Sequence, residues 1–102
     1  PMGSPINEIM RFGKKYTKLP VEKQEIAKIK IQELAENISY DELSSFFGTA
    51  VKKTGTRIVT MISLGVLLNN NQESTPEIKE FVIKALEDKN ELLVLEAKKI
   101  TL

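Results

Sequence analysis

The chain contains no cysteine, no histidine and no tryptophan. Without cysteine there is no disulfide framework of the kind that small secreted domains use. Without cysteine and histidine together, ordinary zinc sites and histidine-based acid–base or triad chemistry are excluded. Glu8 stands where a phosphate-binding loop at "FGKKYT" would need its first glycine, and Ser44 and Ser45 have no histidine to activate them. We therefore expect no cofactor, no metal, no small-molecule substrate and no enzymatic activity.

A strong charge of one sign and a long apolar run are also lacking. The formal net charge is +1, which does not by itself mark a nucleic-acid binder. The longest apolar run, residues 58 to 68, is too short to cross a bilayer. The start of the chain, residues 1 to 4, is interpreted as an expression scar and not as a signal peptide. These features predict one soluble, intracellular helical domain over residues 5 to 102, with no membrane contact.

Residues that favour helix starts recur along the chain, and the hydrophobic content of 41% is enough for a core. A small polar residue before a proline, or a proline alone, is typical of the first turn of a helix. The ambiguous tail "ELLVLEAKKITL" also suits strands at "LLVL" and "ITL", and helix is the prediction there. The predicted helix starts are Ser4-Pro5, Pro20, Ser39, Thr56, Thr75-Pro76 and Asn90.

The third and fourth predicted helices set the expected architecture. "SYDE", residues 39 to 42, forms a capping box in which Ser39 and Glu42 cap each other's backbone. The third helix is predicted to continue through an apolar stripe to a cap at Gly55. The fourth, "RIVTMISLGVLL", is apolar almost all round and therefore needs neighbours on every side. We predict an all-α bundle of five or six short helices around this central helix. The stripe consists of Leu43, Phe46, Phe47, Ala50 and Val51.

The second helix, predicted from Pro20 to Ile38, carries apolar residues on two sides. At 100° per residue, one group falls within about 60° and forms a core stripe. Ile26 and Ile29 lie away from this stripe, flanked by Glu22, Glu33 and Glu36. Either the first helix or the tail of the same chain covers them, or another chain does, as in an isologous helical dimer. The core stripe consists of Ala27, Ile31, Leu34 and Ile38.

The stretch "LPVEKQEIAKIKIQEL", residues 19 to 34, resembles the BESS motif of insect nuclear and chromatin-associated proteins. The preceding "EIMRFGKKYTK" matches the first helix of that motif, so the resemblance covers residues 7 to 38 as a helical hairpin. The aromatic–leucine opening of the motif is weak here, and residues 39 to 102 have no counterpart in it. The matching positions are Leu19, Pro20, Glu22, Lys23, Gln24, Lys28, Ile29, Ile31, Glu33 and Leu34.

The resemblance implies a module for self-association or protein–protein interaction in a nuclear, chromatin- or transcription-linked complex. BESS segments commonly occur beside a separate DNA-binding domain, and this chain shows none. The expected partner is therefore a protein or a second copy of the chain. The predicted interface consists of Leu19, Val21, Glu22, Ile26, Ile29 and Glu33.

Two clusters of basic residues support an alternative function. If they met on one surface, they would hold a nucleic-acid backbone without reading its sequence. Cations near helix ends also oppose the helix dipole, which is an ordinary structural reason for both clusters. A further alternative is a small helical immunity or inhibitor protein that binds with its whole bundle. The clusters are Lys14, Lys15 and Lys18, and Lys52, Lys53 and Arg57.

Overall fold

The computed structural model describes residues 3–48 and 53–101. Within these residues it contains six α-helices, one short 3-10 helix and no strand, so the predicted all-α fold is confirmed. Of the tail residues that also suited strands, "LLVL" lies in the last helix, Ile100 and Thr101 follow that helix in neither helix nor strand, and Leu102 lies outside the described residues. In chain order the elements are α1 (Pro5–Lys15), the 3-10 helix (Tyr16–Lys18), α2 (Val21–Ala35), α3 (Tyr40–Ser44), α4 (Thr54–Asn69), α5 (Pro76–Leu86) and α6 (Glu91–Lys98).

Side-chain caps start four of these helices where the sequence predicts them. Ser4 and Thr75 each accept a hydrogen bond from a backbone N–H in the first turn, and a proline follows each cap. Asn90 accepts from the backbone N–H groups of Leu92 and Leu93, at 2.9 and 3.1 Å. The capping box of α3 is present, because Ser39 Oγ accepts from Glu42 N at 3.1 Å and Ser39 N donates to Glu42 Oε1 at 2.9 Å.

The predicted length of the third helix and the start of the fourth are wrong. α3 ends at Ser44, and Phe46 and Phe47 follow it in a turn, where they pack half-buried against the core. Ala50 and Val51 lie outside the described residues. Lys53 occupies the N-cap position of the helix that follows, without a side-chain capping hydrogen bond and one turn earlier than predicted, so Thr56 lies inside α4 and is not its cap.

Gly55 belongs to the first turn of α4 and does not cap α3. A Cβ on Gly55 would overlap the carbonyl oxygen of Gly13 in α1, and a Cβ on Gly13 would lie 3.0 Å from the Cα of Thr56. The backbones of α1 and α4 therefore touch at this crossing, which is the close approach that glycine permits. Packing, and not a helix end, is the reason for glycine at position 55.

The central position predicted for α4 is confirmed by its burial. Every residue from Ile58 to Leu64 is buried, and α4 packs against α1, α2, α3 and α6. Its two buried hydroxyls donate within the helix, from Thr60 Oγ1 to Thr56 O at 2.7 Å and from Ser63 Oγ to Val59 O at 2.8 Å. A helix enclosed in this way needs no polar face.

α4 ends in a Schellman motif. Asn71 adopts φ 72°, and its N–H donates to Leu68 O at 3.2 Å, while Gln72 N donates to Leu67 O at 3.0 Å. Asparagine tolerates this left-handed conformation better than most residues. The motif turns the chain sharply into the polar loop that leads to α5.

Candidate functional site

The side of α2 that faces the bundle differs slightly from the predicted stripe. Ala27 and Ile31 are buried as predicted, but Leu34 is only partly buried. Ile38 is buried after the helix has ended, and not within it as predicted. The observed stripe is completed by Gln24 at the start of α2 and Ala35 at its end.

The opposite side of α2 is not covered by any part of the chain that the structure describes. The side chains of Ile26 and Ile29 are 68% and 58% exposed. The explanation that the first helix or the tail folds over them is therefore wrong. Together with Glu22 and Glu33, which are also exposed, they define what we call the outer face of α2.

The outer face of α2 has the spacing of a coiled-coil seam. From Glu22 the next members follow at steps of four, three and four residues, ending at Glu33. This alternation places side chains in one row that a second helix covers. Lys23 and Lys30 lie along one edge of the row and Glu25 along the other, and all three are exposed. The face is thus a short apolar centre with charged ends and edges.

Polar contacts hold α2 to the rest of the fold at three places. At its start, Gln24 Nε2 donates to the carbonyl of Tyr16 at 3.0 Å, and the Tyr16 hydroxyl donates to Gln24 O at 3.4 Å. In its middle, Lys28 Nζ lies 2.6 Å from Glu96 Oε2 in α6. After its end, Glu36 Oε1 accepts from Asn70 Nδ2 at 2.6 Å. A helix fixed in this way presents its outer face with little conformational entropy left to lose on binding.

The protonation of two of these groups follows from their surroundings. Burial raises the pKa of the Tyr16 hydroxyl. Burial alone would lower the pKa of Lys28, but the hydrogen bond to Glu96 and its negative charge outweigh this, so the pKa of Lys28 is raised. Both groups therefore keep their protons at neutral pH, and the contacts that they make are intact there.

Two of the predicted interface residues do not belong to the outer face of α2. Leu19 is half-buried and packs against the core. Val21 is 68% exposed, but at 100° per residue it lies about 140° around the helix from Ile26. The structure thus brings together Glu22, Ile26, Ile29 and Glu33, and separates the other two from them.

The structure brings the two basic segments to the same corner of the bundle. Lys14 and Lys15 end α1 and Lys53 occupies the N-cap position of α4, and these helix ends meet where Gly13 contacts Gly55. Lys18, in the 3-10 helix, is exposed beside them. Lys52 lies outside the described residues.

Not all of these cations are available to a ligand. Arg57 Nη2 lies 3.0 Å from Asp88 Oδ2 and also donates to Thr54 Oγ1 at 3.3 Å. Lys15 Nζ lies 5.4 Å from the centre of the Phe12 ring, but its side chain is exposed and stays accessible. The arginine, which would bind phosphate most specifically, is therefore committed to an ion pair inside the fold.

A second exposed apolar pair lies on α5, and the sequence reasoning missed it. Ile83 and Leu86 are 55% and 42% exposed. At 100° per residue, Ile83 lies about 100° from Val82, the nearest buried residue of the helix, so an angular count would have separated Ile83, whereas Leu86 lies only about 40° from Val82 at the edge of the buried side. With Lys79, which is exposed one turn before Ile83, they define the outer face of α5. The buried residues of α5 are Ile78, Phe81, Val82 and Ala85.

The described residues contain no group of three or more histidine, cysteine, aspartate or glutamate side chains arranged to hold a metal ion. The hydroxyls of Ser44 and Ser45 donate to helix carbonyls, those of Asp41 and Glu42. A shallow groove of about 520 Å³ runs between α3 and α5, and the aromatic pair Phe47 and Phe81 forms part of its wall. None of the helices in the described part of the chain is both long and apolar enough to cross a membrane.

No protein-family model, curated protein or solved structure matches this chain. The resemblance to the BESS motif therefore stays a prediction that rests on residues 7 to 38. Among the surfaces of the described residues, the outer face of α2 has the clearest geometry.

Proposed function

We propose that this protein is a non-enzymatic protein–protein interaction module that binds through the outer face of α2. The observation that carries the proposal is the exposure of Ile26 and Ile29 at seam spacing on a helix whose other side is already buried in the core. Single exposed apolar residues are common on protein surfaces. Two in one row, bounded by charges and held on an anchored helix, match the side chains that one helix offers to another.

The size of the surface limits the affinity that it supplies. Fully burying an isoleucine side chain contributes about 1.5–3 kcal/mol, so two contribute about 3–6 kcal/mol. A millimolar dissociation constant corresponds to about 4 kcal/mol and a micromolar one to about 8 kcal/mol. We therefore expect weak, reversible association unless further contacts add to it. The nuclear, chromatin-linked setting is supported by the BESS resemblance alone, and the proposed binding surface does not depend on it.

The test is the molar mass in solution as a function of protein concentration. The concentration series should extend to several times the expected dissociation constant, which lies between the millimolar and the micromolar range. The double variant Ile26→Glu, Ile29→Glu would place charges in the centre of the interface, where an unpaired buried charge costs several kcal/mol. We expect the wild type to exceed its monomer mass of 11.5 kDa as concentration rises. The double variant should stay monomeric with unchanged helical circular dichroism.

The matched control is Val21→Glu, which places the same charge on the same helix at an equally exposed position off the outer face. It should associate like the wild type. A partner other than a second copy is detected by photocrosslinking. A photoreactive residue at position 25, beside the outer face, should capture it, and one at the control position 73 should not. If the double variant unfolds, both isoleucines belong to the core. If the wild type is monomeric and position 25 captures no protein in an isoleucine-dependent manner, the proposal is wrong.

A second candidate function is nucleic-acid binding at the corner where α1 meets α4. It is favoured by the approach of Gly13 to Gly55, which brings Lys14, Lys15 and Lys53 close in the fold. It is opposed by the net charge of +1 and by the ion pair that occupies Arg57. Binding through phosphates weakens steeply between 50 and 200 mM salt. Measurable DNA or RNA affinity with that salt dependence, lost on changing the three lysines to glutamate, would support it.

A further inference from the structure

The outer face of α5 repeats the apolar spacing of the outer face of α2. Ile83 and Leu86 are three residues apart, as are Ile26 and Ile29, and all four side chains are exposed. One molecule thus displays two separate apolar pairs of the same spacing on two different helices.

The charges around the two pairs have opposite signs at corresponding positions. Four residues before the first apolar residue, α2 has Glu22 and α5 has Lys79. Three residues before it, α2 has Lys23 and α5 has Glu80. One residue after the second apolar residue, the charges are again opposite, with Lys30 in α2 and Glu87 just after α5.

Antiparallel packing of the two faces places these charges against partners of opposite sign. With Ile29 opposite Ile83, the reversed direction puts Ile26 opposite Leu86 and Glu33 opposite Lys79. In an antiparallel helix pair, a residue that directly follows a seam residue on one helix lies beside a residue that directly follows a seam residue on the other helix. Lys30 then lies beside Glu80, and Lys23 beside Glu87. All of these charged side chains are exposed in the single chain.

Like faces do not match in this way. Antiparallel packing of α2 on a second α2, with the isoleucines paired, puts Glu22 opposite Glu33 and Lys23 beside Lys30. Parallel packing puts each of these two glutamates opposite its own copy. Like charges across an interface oppose association. Glu80 pairs with Lys84 within α5 at 3.2 Å, but both side chains are more than half exposed, so water screens this pair and Glu80 remains free to exchange partners.

We infer that the partner of the outer face of α2 is the outer face of α5 on a second copy of this chain, packed antiparallel. This inference rests on the proposed function of α2 and names its occupant. The contact joins unlike surfaces, so each molecule offers one of each, and assembly closes into a ring or continues as a chain. It replaces the isologous α2 pairing that the sequence alone suggests.

The test exchanges charges without touching the apolar residues. One variant inverts three charges on α2, and a second inverts three on α5. In a solution of either variant alone, like charges face each other across the α2–α5 contact. We expect the self-association of each variant to weaken at least about tenfold relative to the wild type. Mixing the two variants, or combining all six changes in one chain, restores opposite signs and should restore association to the wild-type level. The changes are Lys23→Glu, Lys30→Glu and Glu33→Lys on α2, and Lys79→Glu, Glu80→Lys and Glu87→Lys on α5.

Molar mass across concentration is the readout, with helical circular dichroism to show that each variant folds. Glu73→Lys with Lys98→Glu changes exposed charges elsewhere and should leave the mass unchanged. The inference is overturned if the mixture and the six-fold variant stay as weak as their components, or if the wild type is monomeric. If only the α5 charges have no effect while Ile26→Glu, Ile29→Glu still abolishes binding, the α2 surface stands and its partner is a different one.

Discussion

The two glycines of α4 give a test of the helix crossing at the centre of the fold. Gly55 and Gly65 lie in the same helix, and each is changed to alanine. In a helix interior, alanine is more favourable than glycine by about 0.5–1 kcal/mol. Any difference between the two variants therefore reports what surrounds each position.

At Gly65, nothing lies within 4 Å of an added Cβ. Alanine has the higher helix propensity and displaces no contact there, so Gly65→Ala should stabilise the protein by about 0.5–1 kcal/mol. At Gly55, the added methyl overlaps the carbonyl oxygen of Gly13, which is backbone and has no rotamer by which to move away. α1 and α4 then have to separate. Overpacking of this kind costs about 1–3 kcal/mol or more, which exceeds the propensity gain.

Urea denaturation followed by circular dichroism measures both effects in one assay, with equal slopes required for a valid comparison. We expect the midpoint to rise for Gly65→Ala and to fall for Gly55→Ala. For a domain of this size, 1 kcal/mol corresponds to about 4–8 °C in melting temperature. If Gly55→Ala is as stable as Gly65→Ala, α1 and α4 do not touch at Gly13. The corner at which Lys14 and Lys15 approach Lys53 would then be wrong as well.

Two further predictions concern the cap of α3 and the titration of buried groups. Ser39→Ala should cost about 1 kcal/mol of unfolding free energy because it removes the acceptor for Glu42 N, whereas Ser45→Ala should stay within about 0.5 kcal/mol; equal losses would refute the capping box. The pKa values of Tyr16 and Lys28 are raised, so both groups bind their protons more tightly in the folded protein than in the unfolded chain. The stabilisation that they contribute is therefore complete below their unfolded pKa values, near pH 10, and is lost as the pH rises through their folded pKa values. The unfolding free energy should thus fall above about pH 10, less steeply in Tyr16→Phe, and equal slopes for the two proteins would contradict this.

The helices were predictable from the sequence where a local signal decides them. Ser4, Ser39, Thr75 and Asn90 cap through their own side chains, and capping depends only on residues a few positions away. The buried state of α4 was predictable for a similar reason, because an almost wholly apolar helix has few alternatives.

The errors arise where distant residues decide. The sequence predicts a helix end at Gly55, but Gly55 lies inside α4. Glycine is needed there because the backbone of Gly13, far away in the chain, lies against it. The exposure of Ile26 depends likewise on which elements cover α2, and an angular count cannot tell whether the same molecule or another one does. Arg57 reads as part of a basic cluster, but its partner Asp88 comes from the turn after α5.

Two of the three isoleucines of α2, Ile26 and Ile29, contribute little to the stability of the single chain. They are exposed, and β-branched side chains form helices less readily than lysine, glutamine or glutamate. Folding of the monomer therefore gives no reason for Ile26 and Ile29, in contrast to Ile31, which is fully buried. A reason appears only when a second surface is supplied, and α5 displays one with the same spacing and with opposite charges at Lys79, Glu80 and Glu87. The match between these two faces thus identifies the partner of the outer face of α2, which the exposure of that face alone does not.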